Sequence, residues 1–277
     1  MIKRRTSEYR NKAYQQNWIL PILIWLFTCW TVMGSSWNGD DWPNSQTPYW
    51  VLWRYGELNP GSIMHEALYW NEQWMRGQGR FYIFQWIESR FIFSYLRELW
   101  QYKLFETFIL FLCGMIFVWL LIKIFITPVL GQLTLIFLAC TTQFRYSFDP
   151  HVGFGTLVPI MLLKVLVSAV LVYHSTNCKE SWKSTMYGVA AGLMYFISMS
   201  TYEYAFLLIP IFILVFIQTI YKNNITGEKS TNMMNSSFQL FSICSIDILS
   251  KFSGGNLPSL NNLDSIFNLS KSIWNFC

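Results

Sequence analysis

The chain has 277 residues, of which 53% are hydrophobic, 19% aromatic and only 13% charged. A soluble domain carries about twice that charge, so the composition excludes an ordinary water-soluble enzyme and points to a membrane protein. The net charge of +5 does not indicate a nucleic-acid partner, because the basic residues are scattered instead of massed into a patch that neutralises many phosphates.

Residues 1–16 form a basic N-terminus containing Lys3, Arg4, Arg5, Arg10 and Lys12. Apolar windows follow near 17–36, 105–123, 126–143, 155–174, 185–201 and 205–221. Crossing roughly 30 Å of hydrocarbon takes on the order of 20 residues. The first window lacks a small-residue cleavage site and reads as a retained anchor, not a signal peptide. The expected fold class is therefore all-α, a polytopic transmembrane helix bundle of about six spans. By the positive-inside rule the basic N-terminus lies in the cytoplasm, and six crossings then put Lys123, Lys179, Lys183, Lys222 and Lys229 on the same side. The outer segments become 37–104, 143–154 and 200–205, and Asp40, Asp41, Asp149 and Glu203 all fall at outer span ends.

The first outer loop, 37–104, is rich in Trp, Tyr and Phe and is expected to fold. Between Ser62 and Arg76, Ile63, Ala67, Trp70 and Trp74 return at helical spacing, with Glu66, Gln73 and Arg76 elsewhere on the wheel. This predicts a helix lying in the membrane interface. The stretch "GQGRFYIFQWIESRFIFSYLRELWQYK" is nearly apolar enough to span, but Glu88, Arg90, Arg97 and Glu98 make insertion cost several kcal/mol. It reads as a second interfacial helix feeding the span at 105. "GQGR" joins the two helices, either as a plain turn or as a nest in which Arg80 meets an anion.

The six cysteines have no CxxC spacing and imply neither zinc nor a disulfide framework. Lys164 lies near the middle of an apolar window. A charge there needs an internal partner, a route to snorkel, or contact with a lipid phosphate. After Tyr221 the chain turns Asn- and Ser-rich, and residues 223–277 read as a polar, poorly structured cytoplasmic tail.

The basic N-terminus, the single span, the "NGDDW" acids of a large outer loop, the "W…GQGRF" step and the later hydrophobic hairpins resemble the GT-C superfamily of membrane glycosyltransferases. Within it the chain is similar to the bacterial polytopic glucosyltransferase-type proteins that modify surface polysaccharides, and "FRYSFDP" is similar to an Arg/Asp-Pro outer loop of some of them. The resemblance covers residues 1 to about 222. It implies transfer of a sugar from a polyprenyl-phosphate-linked donor to a glycan, lipid or protein acceptor at the outer face of the plasma membrane. It also implies longer chains with more spans, so this sequence reads as a shortened form.

By position, the family's loop acid matches Asp41 or Asp40. Such a transfer needs a carboxylate to take the proton of the attacking hydroxyl, and cations or a metal to stabilise the leaving phosphate. Asp41 is the expected base, with Asp40 as alternate or metal ligand. Arg80, Arg145 and His151 are expected to contact the donor phosphate. Asp149 would hold a divalent metal or an acceptor hydroxyl, or else form an Asp-Pro turn with Arg145. Trp42 and Glu203 would bind the sugar, although an interfacial aromatic belt accounts equally well for the rings around Glu203. Two other classes stay open: a transporter or flippase of lipid-linked sugars, disfavoured by spans that are nearly uncharged apart from Lys164, and an inactive relative of the enzyme.

Overall fold

The computed structural model describes residues 18–37, 41–79, 81–125, 128–142, 157–178 and 180–202, with isolated positions from 205 to 217. Its described elements are all helical. They are α1 (Ile19–Trp30, continuing as a 3-10 turn over Thr31–Gly34), α2 (Asp41–Ser45), α3 (Thr47–Tyr55), α4 (Pro60–Gln78), α5 (Ile83–Tyr95), α6 (Leu99–Phe125), α7 (Pro128–Thr141), α8 (Val158–Asn177) and α9 (Ser181–Met199).

Local chemistry sets these boundaries. Asn59, in an extended conformation, accepts a hydrogen bond from the Ser62 N–H at 2.8 Å, and Pro60 opens α4 where its missing N–H costs nothing. Gly56 and Gly79 end α3 and α4 at φ +78° and +67°, the left-handed region that favours glycine. The expected continuous interfacial helix over 81–104 is instead interrupted. α5 stops at Tyr95, and α6 begins at Leu99, where the Gln101 side chain accepts from the Glu98 N–H at 3.3 Å. That is half of a capping box, and it starts the long helix six residues before the expected span.

α6 is the centre of the bundle. On one side α1 and α7 bury Trp25, Cys29, Val32 and Leu135 against Leu110 and Val118. On another, α8 packs Leu166 and Ala169 on Ile109, Cys113 and Leu120. The Trp25 indole N–H donates to the Phe111 carbonyl at 3.3 Å, and Thr107 donates to the Cys29 carbonyl at 3.5 Å, so α1 runs antiparallel to α6. Gly114 makes this approach possible, because a methyl group there would overlap the Trp25 ring. Gly114→Ala is expected to lower stability by about 1–3 kcal/mol through overpacking. The check is the detergent melting temperature of the full chain, with recovery in Gly114→Ala/Trp25→Leu; an unchanged melting temperature would refute the close packing.

α8 and α9 form an antiparallel hairpin joined by side-chain-to-backbone bonds. Ser168 donates to the Ala191 carbonyl at 2.8 Å, Ser198 to that of Met161 at 3.1 Å, and Ser175 and Ser184 each donate to the other's carbonyl at 2.8 Å. Ser184, Gly188 and Gly192 recur every four residues and are buried, which lets the backbones approach. Outward, the bundle presents apolar side chains: Leu23 and Phe27 on α1, Phe108 on α6, Leu133 and Phe137 on α7, and Leu193 on α9 are all exposed.

Among the described residues two helices, α6 and α8, are long and apolar enough by length and composition to cross a membrane. This is fewer than the six expected spans. Ile19–Gly34 and Pro128–Thr141 are apolar but short, α9 has the length yet begins with the polar run SWKST, and most of 205–221 lies outside the described residues.

Candidate functional site

The segment 41–55, part of the outer segment expected to fold, forms α2 and α3 at the end of the bundle where α6 begins. Asp41, the first residue of α2, is fully buried. The Tyr102 hydroxyl, from the first turn of α6, donates to Asp41 Oδ2 at 2.7 Å. Tyr102 is itself fixed between rings: Trp37 stacks on it at 5.1 Å and Phe93 at 4.8 Å. The next residue of α6, Lys103, donates from Nζ to Glu106 Oε2 one turn on at 2.9 Å, and both side chains are buried.

Arg90, on α5, reaches the same short helix from another direction. Its Nη1 donates to Asn44 Oδ1 at 3.2 Å and to Thr47 Oγ1 at 2.6 Å. The guanidinium carbon lies 5.0 Å from the Trp86 ring centroid and 5.5 Å from that of Trp70, within cation–π range. Burial pushes Arg90 down to about 10, with Glu66 pulling it up and Arg54 pushing it further down. Glu66, expected off the apolar face of α4, is fully buried there. It accepts from the Trp70 indole N–H at 2.7 Å and from Arg54 Nη1 at 2.9 Å. Asp41 and Asn44 share one face of α2 at i,i+3 spacing, so the Tyr102-held carboxylate and the Asn44-held guanidinium come to the same helix.

Lys164 has an internal partner. Its ammonium donates to both oxygens of Glu88 on α5, at 2.5 Å to Oε2, and to Thr201 Oγ1 at 2.7 Å. Burial raises the Glu88 carboxyl above its ordinary range, and Lys164 draws it back down. With the Tyr82–Tyr202 ring contact at 6.3 Å, this pair fastens α5 to the α8–α9 hairpin.

Of the residues singled out in the sequence, Asp41 is thus at the centre of a buried polar layer, Trp42 beside it is exposed, and Lys164 sits on α8 in contact with Glu88. Asp40, Arg80, Arg145, Asp149, His151 and Glu203 lie outside the described residues. Among the described residues no group of three or more His, Cys, Asp or Glu side chains comes together to hold a metal ion, and both metal candidates, Asp40 and Asp149, fall outside them. Tyr102, Arg90 and Glu66 were not singled out as site residues. Their signal was present as charges and a phenol inside apolar runs, a pattern that requires inward partners if the segment is helical.

Against known protein families, curated proteins and solved structures, the chain shows no match.

Proposed function

We propose that the chain is a multi-pass glycosyltransferase of the plasma membrane, resembling the GT-C superfamily, with its N-terminus in the cytoplasm and its polar layer facing outward. The observation that carries this reading is the buried Asp41 carboxylate, held by Tyr102, whose own ring is stacked by Trp37 and Phe93, at one end of an apolar bundle. Supporting the topology, α6 and α8 both start at the end that carries α2–α5, while Lys123 and Lys183 lie at the opposite end, the side on which Lys is retained. The outward apolar side chains of α1, α6, α7 and α9 suit lipid.

In this reading the acceptor hydroxyl attacks the anomeric carbon of a polyprenyl-phosphate-linked sugar. Asp41 takes the hydroxyl proton as the new C–O bond forms, and the bond to phosphate breaks with its electron pair staying on the departing lipid phosphate. Half-buried and exposed tryptophans near the layer, Trp42 among them, offer faces for a sugar ring.

The test is the surface-glycan composition, by mass spectrometry, of cells carrying the gene, lacking it, or carrying Asp41→Asn with the variant's membrane level verified. One sugar missing from both altered strains is the expected result. Identical glycans in all three would end the transferase reading.

A further inference from the structure

Arg90 is 5% exposed and meets no carboxylate among the described residues: Nη1 donates to two neutral oxygens, and Nε has no partner. The neighbouring Glu66 is already taken by Arg54 and Trp70, so the buried Arg90 guanidinium carries its charge without a carboxylate in hydrogen-bond contact. Desolvating such a charge is costly unless something negative completes it. Two more buried donors without acceptors belong to the same cluster. They are Nε1 of Trp86, whose ring the guanidinium overlies, and Nε1 of Trp74, packed edge-on against Trp86. Guanidinium and indole N–H groups can only donate. A cation and two indoles lacking acceptors therefore suit a ligand that is anionic, rich in acceptor oxygens and able to lie against apolar rings. Trp70 and Trp74 are half-buried, so the cluster reaches the surface along α4.

We infer that Arg90, walled by Trp70 and Trp86, is a binding site for a phosphate oxyanion, carried on a lipid or free in solution. A planar guanidinium is well matched to phosphate oxygens. Arg90 is fastened through Asn44 to the short helix that bears Asp41. Naming the ligand as a lipid-linked phosphate rests on the transferase reading; anion binding itself does not.

The experiment is phenylglyoxal labelling of the detergent-solubilised full chain, with peptide mass spectrometry following Arg90 and the exposed Arg76 as internal control. Samples contain no addition, inorganic phosphate, farnesyl phosphate, phosphatidylglycerol or uncharged farnesol. Protection of Arg90 by a phosphate of about tenfold, with Arg76 unaffected and farnesol inert, is expected for a charge-assisted contact. Which phosphate protects identifies the source: free anion, isoprenyl phosphate or membrane headgroup. Arg90→Gln should weaken farnesyl phosphate quenching of tryptophan fluorescence about tenfold, whereas Arg76→Gln, at an exposed position, should leave it intact. Arg90 labelled equally in all samples, labelled in none, or protected as well by farnesol would overturn the site, whether or not the variant folds. Protection of Arg90 combined with unchanged glycans in Asp41→Asn would retain the anion site and discard the transferase reading.

Discussion

Asp41→Asn is expected to abolish sugar transfer while the protein remains folded in the membrane. The amide has the shape of the carboxylate, and its oxygen can still accept from the Tyr102 hydroxyl that lies 2.7 Å from Asp41 Oδ2. What disappears is the capacity to take a proton, and a positioned general base contributes about 10²–10⁴-fold to rate. Tyr102→Phe separates holding from reacting. It keeps the ring packed between Trp37 and Phe93 and removes a hydrogen bond to a charged group, worth about 1.5–3 kcal/mol. Its loss of transfer should therefore be partial, about tenfold to a hundredfold by the usual conversion of free energy to rate. Quantifying the surface sugar in Asp40→Asn, Asp41→Asn and Tyr102→Phe strains orders the three. Normal glycans in Asp41→Asn with loss in Asp40→Asn would move the base to Asp40.

Lys164→Met is expected to destabilise the chain by about 3–5 kcal/mol, the cost of leaving a buried carboxylate without its cation. Lys164 and Glu88 retain 11% and 23% side-chain exposure, so water only partly replaces the missing partner. Glu88→Gln/Lys164→Met should recover a large part of the loss, because removing both charges also removes their desolvation cost. The deficit should depend on pH. Burial already raises the Glu88 carboxyl, and removing Lys164 raises it further. A carboxyl with a raised folded pKa contributes its full stability below the ordinary glutamate value and loses it as pH rises through the folded value. The Lys164→Met deficit is thus largest near neutrality and shrinks toward acid. Detergent melting temperatures at a series of pH values test this; a deficit independent of pH would mean that Glu88 is not the group left stranded.

The sequence made the helical classes legible and their partners much less so. Helices over 62–76 and within 81–104 follow from the apolar spacing of Ile63, Ala67, Trp70 and Trp74 and from the aromatic run after Gly79. The stop at 96–98 was hidden, since no Gly or Pro marks it and its cap is a Gln side chain that equally suits a helix interior. α2 and α3 were masked by their turn-like composition, although Pro48 in the first turn of α3 is a helix-start signal. The charges that argued against membrane insertion of 81–104 divide into two kinds in three dimensions. Glu88 and Arg90 turn inward to Lys164 and to Asn44 and Thr47, while Arg97 and Glu98 are exposed. Helical periodicity cannot distinguish a charge with a buried partner from one facing water, because the partner is 76 residues away for Glu88 and 46 for Arg90 and Asn44.

The serine bonds between α8 and α9 also bear on the order in which the molecule is made. Ser175 and Ser184 are nine residues apart, so closing that turn costs far less chain entropy than bringing α1 to α6 across the whole of α2–α5. The hairpin satisfies its side-chain hydroxyls with its own carbonyls and needs no third helix to do so. It is the unit that can form on emergence from the ribosome and dock afterwards on α6, where the Glu88–Lys164 clasp fastens it to α5. Damage to the hairpin would consequently be registered as failed biogenesis, and damage to the clasp as a complete but loosely fastened molecule.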